Sequence, residues 1–235
     1  MGEHTVTSFD DDLGYIDQLI HDMGALAGEM VSSATRSLLD SDNALAQRVV
    51  SDDALMDARQ RELDERAITL IAKRQPMAQD LRAVVGAIRM AADLERIGDL
   101  AKNIAKRVSA VGDGATPREL SHSIDAMAAL VLGQVEDVVA AYETRDADGL
   151  ATLRTEDEKV DIQYTAVFRE LLTYMMEDPR NITACTHLLF CAKNLERIGD
   201  HVTNIAENAY YVVTGQQLPL NRPKRDETSM TGGQD

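Results

Sequence analysis

The chain has 235 residues, a formal net charge of −16 and a pI near 4.7. That balance excludes nucleic acid and an anionic membrane surface as partners and suits cations as ligands. Hydrophobic residues make up 44 % and aromatics 4 %, with no Trp and five Pro, so Ala, Leu, Val and Met dominate and helices packed on helices are expected.

The amino terminus, Met1 to Asp12, is acidic and polar and does not read as a signal peptide. A first helix is expected from near Asp10 to about Leu39, with Ile16, Leu19, Met23, Leu26, Met30, Ala34 and Leu38 on its apolar face. Gly24 and Gly28 lie on that helix four residues apart, which points to close contact with another helix. Ser41-Asp42-Asn43 reads as a turn and cap, and a second helix follows to about Arg74. Gln75-Pro76 breaks the chain, and the third helix is expected to end near Ala110.

Gly112-Asp113-Gly114 reads as a linker. Thr116-Pro117-Arg118-Glu119 then offers an N-cap, a Pro at the first helical position and a capping-box Glu. The fourth helix runs to about Thr144, with Ile124, Met127, Val131, Val135, Val138 and Tyr142 on its seam. Within it, the apolar run from Ala126 to Leu132 is far too short to span a bilayer, so the chain is not expected to insert in a membrane. The fifth helix is expected from near Asp146 to near Glu177, and the sixth, after Asp178-Pro179, to about Val213. Cys185 and Cys191, on different faces of that helix, read as reduced thiols of a cytoplasmic protein. From Thr214 the composition turns polar, and 214–235 is expected to be a disordered tail.

Leu94-Glu95-Arg96-Ile97-Gly98-Asp99 recurs letter for letter as Leu195-Glu196-Arg197-Ile198-Gly199-Asp200, 101 residues later. Asn103-Ile104-Ala105 likewise recurs as Asn204-Ile205-Ala206. This is an internal duplication. With no persistent strand alternation, the fold class is all-α: two tandem three-helix bundles, the first over 10–110 and the second over 115–213.

Glu95, Asp99 and Asn103 fall one turn apart on one flank of their helix, as do Glu196, Asp200 and Asn204. Like charges at i and i+4 repel by roughly 0.2–0.5 kcal/mol. A helical glycine costs about 1 kcal/mol against Ala. The second helix of each repeat adds a second pair. Its seam reads Val49, Asp53, Met56, Gln60, Leu63, Ala67, Leu70 in one copy and Leu153, Asp157, Val160, Tyr164, Val167, Leu171, Tyr174 in the other. Each seam thus carries an Asp where an apolar residue belongs, and another Asp follows four later: Asp57 and Asp161.

Helices joined by a short turn run antiparallel, so residues equidistant from the turn lie level. Asp53 and Asp99 are equidistant from Pro76, and so are Asp57 and Glu95. Asp157 with Asp200, and Asp161 with Glu196, are centred on Asp178-Pro179. Four carboxylates at one level call for compensating positive charge. The set Asp53, Asp57, Glu95, Asp99 and the set Asp157, Asp161, Glu196, Asp200 are therefore candidate metal ligands. All-oxygen donors favour Mg, Ca, Mn or Fe, with Zn admitted through carboxylates, and bridging acids allow multinuclear clusters. Lys102, Lys106 and Arg96 offer the competing solution of pairing within the protein. His201 reads as a surface residue, and His21, His122 and His187 as ordinary packing or surface positions.

These residues resemble the PhoU family of bacterial phosphate-transport accessory and regulatory proteins. The resemblance is carried by Asp93 to Asp99 and Asn194 to His201, and extends to Ile71 to Arg82 and Tyr174 to Arg180. It covers about residues 10–213. It implies two similar three-helix bundles with multinuclear metal sites on the eight acids named above. It also implies a role: damping the phosphate-starvation response by linking a phosphate ABC transporter, through its ATPase subunit, to a sensor histidine kinase. A homodimer is among the assemblies considered. One departure is Lys106 where the second copy has Glu207.

The reading that follows is a cytoplasmic, metal-binding regulator without catalysis. The alternative is a carboxylate-bridged metalloenzyme, a phosphatase or oxidase, on a helical bundle. Ferritin-like di-iron bundles use two Glu-x-x-His motifs, and only Glu119 to His122 fits that pattern. There is also no Gly-rich phosphate loop ending in Gly-Lys-Ser/Thr. A third reading is a helical scaffold with a solvated acidic flank.

Overall fold

The computed structural model describes residues 2–112 and 118–218. Among them no residue is in a strand. Helix α1 spans Gly2–Leu39, beginning eight residues before the expected start. Helix α2 spans Asn43–Arg74. The Asp42 carboxylate accepts the backbone N–H groups of Ala44 and Leu45, so the expected cap closes the helix start. Helix α3 spans Gln79–Ala105. It ends short of Ala110 because the chain tightens: Arg107 N–H bonds the carbonyl of Ile104, three residues back. A single turn, α4, follows at Val108–Val111.

Helix α5 spans Arg118–Glu143. The capping box expected over 116–119 lies outside what is described, which leaves out residues 116 and 117 and the side chains at 118 and 119. Helix α6 spans Ala147–Glu177, with Asp146 accepting Gly149 N–H at its start. A 3-10 turn at Pro179–Asn181 leads into α7, Ile182–Thr214. Gly215, at φ 76°, caps α7 by donating to the carbonyl of Tyr211. Most of the tail expected over 214–235 lies outside the described residues.

Helices α1, α2 and α3 form one three-helix bundle and α5, α6 and α7 the other. The bundles are joined helix to helix, α1 on α5 and α3 on α7. Helix α3 runs antiparallel to α7: Gly86 faces Val212 near one end, and Arg107 stacks 4.3 Å from the Phe190 ring near the other. Gly24 and Gly28 lie against Val139 and Leu132, so the glycine pair does mark a close helix contact, between the repeats.

The seams read from sequence are buried. Met23, Met56, Leu63, Leu94, Ile97, Leu120, Met127, Val160 and Ile198 are fully enclosed. They belong to one cluster that runs through both bundles. Each large member contributes roughly 1.5–3 kcal/mol of transfer free energy. Among the described residues, no helix is long and apolar enough to cross a membrane.

Candidate metal centres

The α2–α3 hairpin brings Asp53 and Asp99 to one lysine, and the α6–α7 hairpin brings Asp157 against Gly199. In the first repeat, Lys102 Nζ lies 2.7 Å from Asp53 Oδ2 and 2.6 Å from Asp99 Oδ1. Asp53 and Asp99 therefore face each other across the hairpin. Arg96 reaches Asp99 Oδ2 from outside, at 3.2 Å. Burial pulls the Asp99 carboxyl up, but the hydrogen bond and charge of Lys102 outweigh it and hold the group below the ordinary range. Burial opposes the charge on Lys102, and its bonds to Asp53 and Asp99 overcome that and raise it. Glu95 is pushed up, first by burial and then by the charge of Asp99, with Asp57 adding to it and Arg96 opposing.

The second repeat is drier. Asp157, Asp161 and Glu196 are 4 %, 5 % and 5 % exposed. Burial raises the Glu196 carboxyl; Lys193, at 2.9 Å from Oε1, draws it down, and the charges of Asp200 and Asp161 push it up. At the position of Lys102 the second repeat has Thr203, whose hydroxyl donates to the Gly199 carbonyl.

The duplicated glycine is explained by close approach. A Cβ on Gly98 would sit 3.2 Å from Met56 Cγ and 3.5 Å from Met30 Sδ. A Cβ on Gly199 would sit 3.2 Å from Asp157 Oδ1 and 3.6 Å from Gln134 Oε1. Each glycine thus lets the first two helices of its bundle press against the third.

Gln134 is a site residue that the sequence reading did not name. It is 7 % exposed, and its Oε1 meets no hydrogen-bond donor. Glu196 Oε2 is likewise enclosed without a donor. Buried oxygens are nearly always satisfied, so two orphans beside buried carboxylates fit a missing positive ligand. As the side chains stand, no three His, Cys, Asp or Glu groups among the described residues converge into a metal cluster.

The asparagines separate from the acids. Asn103 is exposed, and Asn204 donates to Asp93 Oδ1 at 3.3 Å, on the other repeat. His201 is no surface residue: Nδ1 lies 2.9 Å from the same Asp93 oxygen and the side chain is largely covered. His21 contacts Glu143 across the α1–α5 joint, and His187 contacts Arg107.

A family profile described as the PhoU domain matches residues 20–108 and again 124–209. The chain belongs to the PhoU family. Each PhoU domain takes in one three-helix bundle and one of the two acid sets. A phosphate-specific transport system accessory protein PhoU homolog from Rhizobium meliloti is 55 % identical over 229 residues, covering 97 % of both chains. One from Caulobacter vibrioides is 47 % identical, covering 97 % of this chain and all of its own. The crystal structure of PhoU from Pseudomonas aeruginosa superposes with a TM-score of 0.84 at 36 % identity, over 88 % of this chain and 100 % of that one. The phosphate transport system regulatory protein PhoU from Streptococcus pneumoniae gives 0.82 at 29 % identity, over 90 % and 100 %. The PhoU relatives thus share the whole two-bundle architecture, and their names place them in phosphate transport.

Proposed function

We propose that this chain is a metal-binding, cytoplasmic regulator of phosphate homeostasis. It restrains the phosphate-starvation response by linking a phosphate ABC transporter, through its ATPase subunit, to a sensor histidine kinase. Membership of the PhoU family, with relatives named as accessory and regulatory proteins of phosphate transport, supports the regulatory part.

The metal-binding part rests on one observation: Gln134 Oε1 is buried without a donor on the same glycine, Gly199, that Asp157 Oδ1 approaches, and Glu196 Oε2, on the same helix one turn before Gly199, is likewise buried without a donor. Asp157, Asp161, Glu196 and Asp200 would hold an ion in the second repeat, and Asp53, Asp57, Glu95 and Asp99 in the first. All-oxygen donors suit Mg, Mn, Fe or Zn. A bound cation supplies the positive charge that lets clustered carboxylates stay ionised at a helix junction.

Two experiments test the two parts separately. Elemental analysis of protein purified without chelator or tag is expected to find stoichiometric metal. Glu196→Ala with Asp200→Ala is expected to reduce it while helicity is kept. Unchanged metal content in that variant would favour a plain helical scaffold. Deletion of the gene is expected to raise phosphate-responsive transcription in phosphate-rich medium, and unchanged transcription would end the regulatory role.

A further inference from the structure

Helices α3 and α7 pack antiparallel, so the 101-residue repeat gives their joint two matching places. At one of them Arg107 of α3 plugs the joint: it lies 4.3 Å from the centre of the Phe190 ring on α7 and meets His187 Nδ1 at 3.1 Å. At the other, the repeat puts Arg89 where Phe190 stands and Asn208 where Arg107 stands. The plug is gone there, and Arg89 and Asn208 line a cleft of about 760 Å3.

The cleft is also lined by Arg154 of α6, where the first repeat has Val50. The Arg154 side chain is only 10 % exposed, and its buried Nε lies 3.1 Å from Glu207 Oε1 without a hydrogen bond. Arg89 is exposed and makes no hydrogen bond or ion pair among the described residues, although acids outnumber Lys and Arg by 40 to 24 in the chain. A third arginine, Arg82, adjoins the cleft through Tyr211. Its guanidinium lies 5.5 Å from that ring, and its Nε is buried without a partner. Asp93, the other acid of the lining, is taken by His201 and Asn204. A guanidinium carries five donors, and buried donors are nearly always satisfied, so the unused donors of this cleft call for an anion.

We propose that the cleft binds a nucleoside monophosphate, with its phosphoryl group on Arg89 and Arg154 and its nucleoside along Tyr211 and Asn208. Phosphate suits paired guanidiniums, which grip its oxygens two at a time. The volume falls in the range of small-molecule sites, roughly 300–1,000 Å3. Tyr211 supplies an aromatic ring for the nucleoside. Asn208 and Glu207 supply an amide and an acceptor for a base edge or sugar hydroxyls. None of the eight acids assigned to metal takes part.

The test is titration calorimetry of the full-length protein with AMP, adenosine and inorganic phosphate, with circular dichroism confirming the fold of every variant. AMP is expected to bind once per chain, and adenosine and inorganic phosphate to bind at least about 10-fold more weakly, since each lacks half of the contacts. Arg89→Ala removes an exposed side chain that holds nothing else in place, and it is expected to weaken AMP by about 10-fold or more. Arg89→Lys is expected to recover part of the loss. Arg154→Met is expected to match Arg89→Ala. Arg89→Phe with Asn208→Arg installs both residues of the plugged place and is expected to abolish AMP binding. Glu196→Ala with Asp200→Ala is expected to leave AMP affinity at the wild-type level.

Absence of AMP binding at millimolar concentration overturns the proposal. Inorganic phosphate binding as tightly as AMP overturns the nucleoside assignment. Wild-type AMP affinity in Arg89→Ala and Arg154→Met overturns the site. Loss of AMP binding in Glu196→Ala with Asp200→Ala places the phosphate on the hairpin acids' ions instead and overturns the site too.

Discussion

His201 of the second repeat and Asp93 of the first meet at 2.9 Å, and Asn204 adds a second contact to the same carboxylate oxygen at 3.3 Å. The residue after the second motif's last acid therefore fastens α7 to α3, on the joint between the bundles. Asp93→Ala is expected to lower stability by about 1–2 kcal/mol, because the largely covered His201 loses a charged partner and the exposed Asn204 a hydrogen bond. Urea unfolding with unchanged slope measures it. His201→Ala is expected to keep metal content at the wild-type level.

Lys102 supports the first hairpin with or without an ion. Its replacement by Met is expected to cost about 1–3 kcal/mol at low ionic strength, since Asp53 and Asp99 lose charged hydrogen bonds in a site that is less than one-third exposed. Thermal unfolding in chelator-treated buffer checks the loss. Lys102→Arg is expected to recover part of it.

The two motif glycines separate in their tolerance. Gly98→Ala brings a methyl to methionine side chains that can move, and it gains up to about 1 kcal/mol of helix propensity. Its stability is expected to stay within about 1 kcal/mol of wild type. Gly199→Ala puts the same methyl 3.2 Å from Asp157 Oδ1, in a place where Asp157 is 4 % exposed. That variant is expected to lower Mn2+ affinity by about 10-fold or more, measured by chelator competition.

Both thiols are expected to resist labelling in the native protein. Burial pushes the Cys191 thiol from its ordinary 9.0 up to about 12, against a small opposing charge from Arg107, and burial raises Cys185 as well. A disulfide reagent at pH 8 is expected to report almost no reaction until denaturant is added, and then two thiols. Between pH 9 and 12 the unfolded chain sheds the Cys191 proton while the folded chain keeps it. This group therefore removes stability as pH rises through that window.

Much of the fold is legible in the chain because its caps are local. Asp42 and Asp146 each accept backbone N–H groups two or three residues on, and short-range chemistry of that kind needs no knowledge of the rest. The level-matching of Asp53 with Asp99 is legible for the same reason, since a short turn fixes the register of a hairpin. What escaped is what crosses between elements of unknown register. The end of α3 at Ala105 is hidden because Val108 continues the apolar period through the tightened turn. The contact of His201 with Asp93 depends on how two bundles dock. Gln134 left a signal that could have been used: it sits between Val131 and Val138 in an apolar register, as Asp53 and Asp157 do in theirs.

The buried cluster that runs from Ile16 through Val212 is continuous across both repeats. Neither half can melt without baring the apolar face of its twin. The duplicated sequence is therefore expected to unfold as a single cooperative unit, with damage at one end read as lost protection from hydrogen exchange at the other.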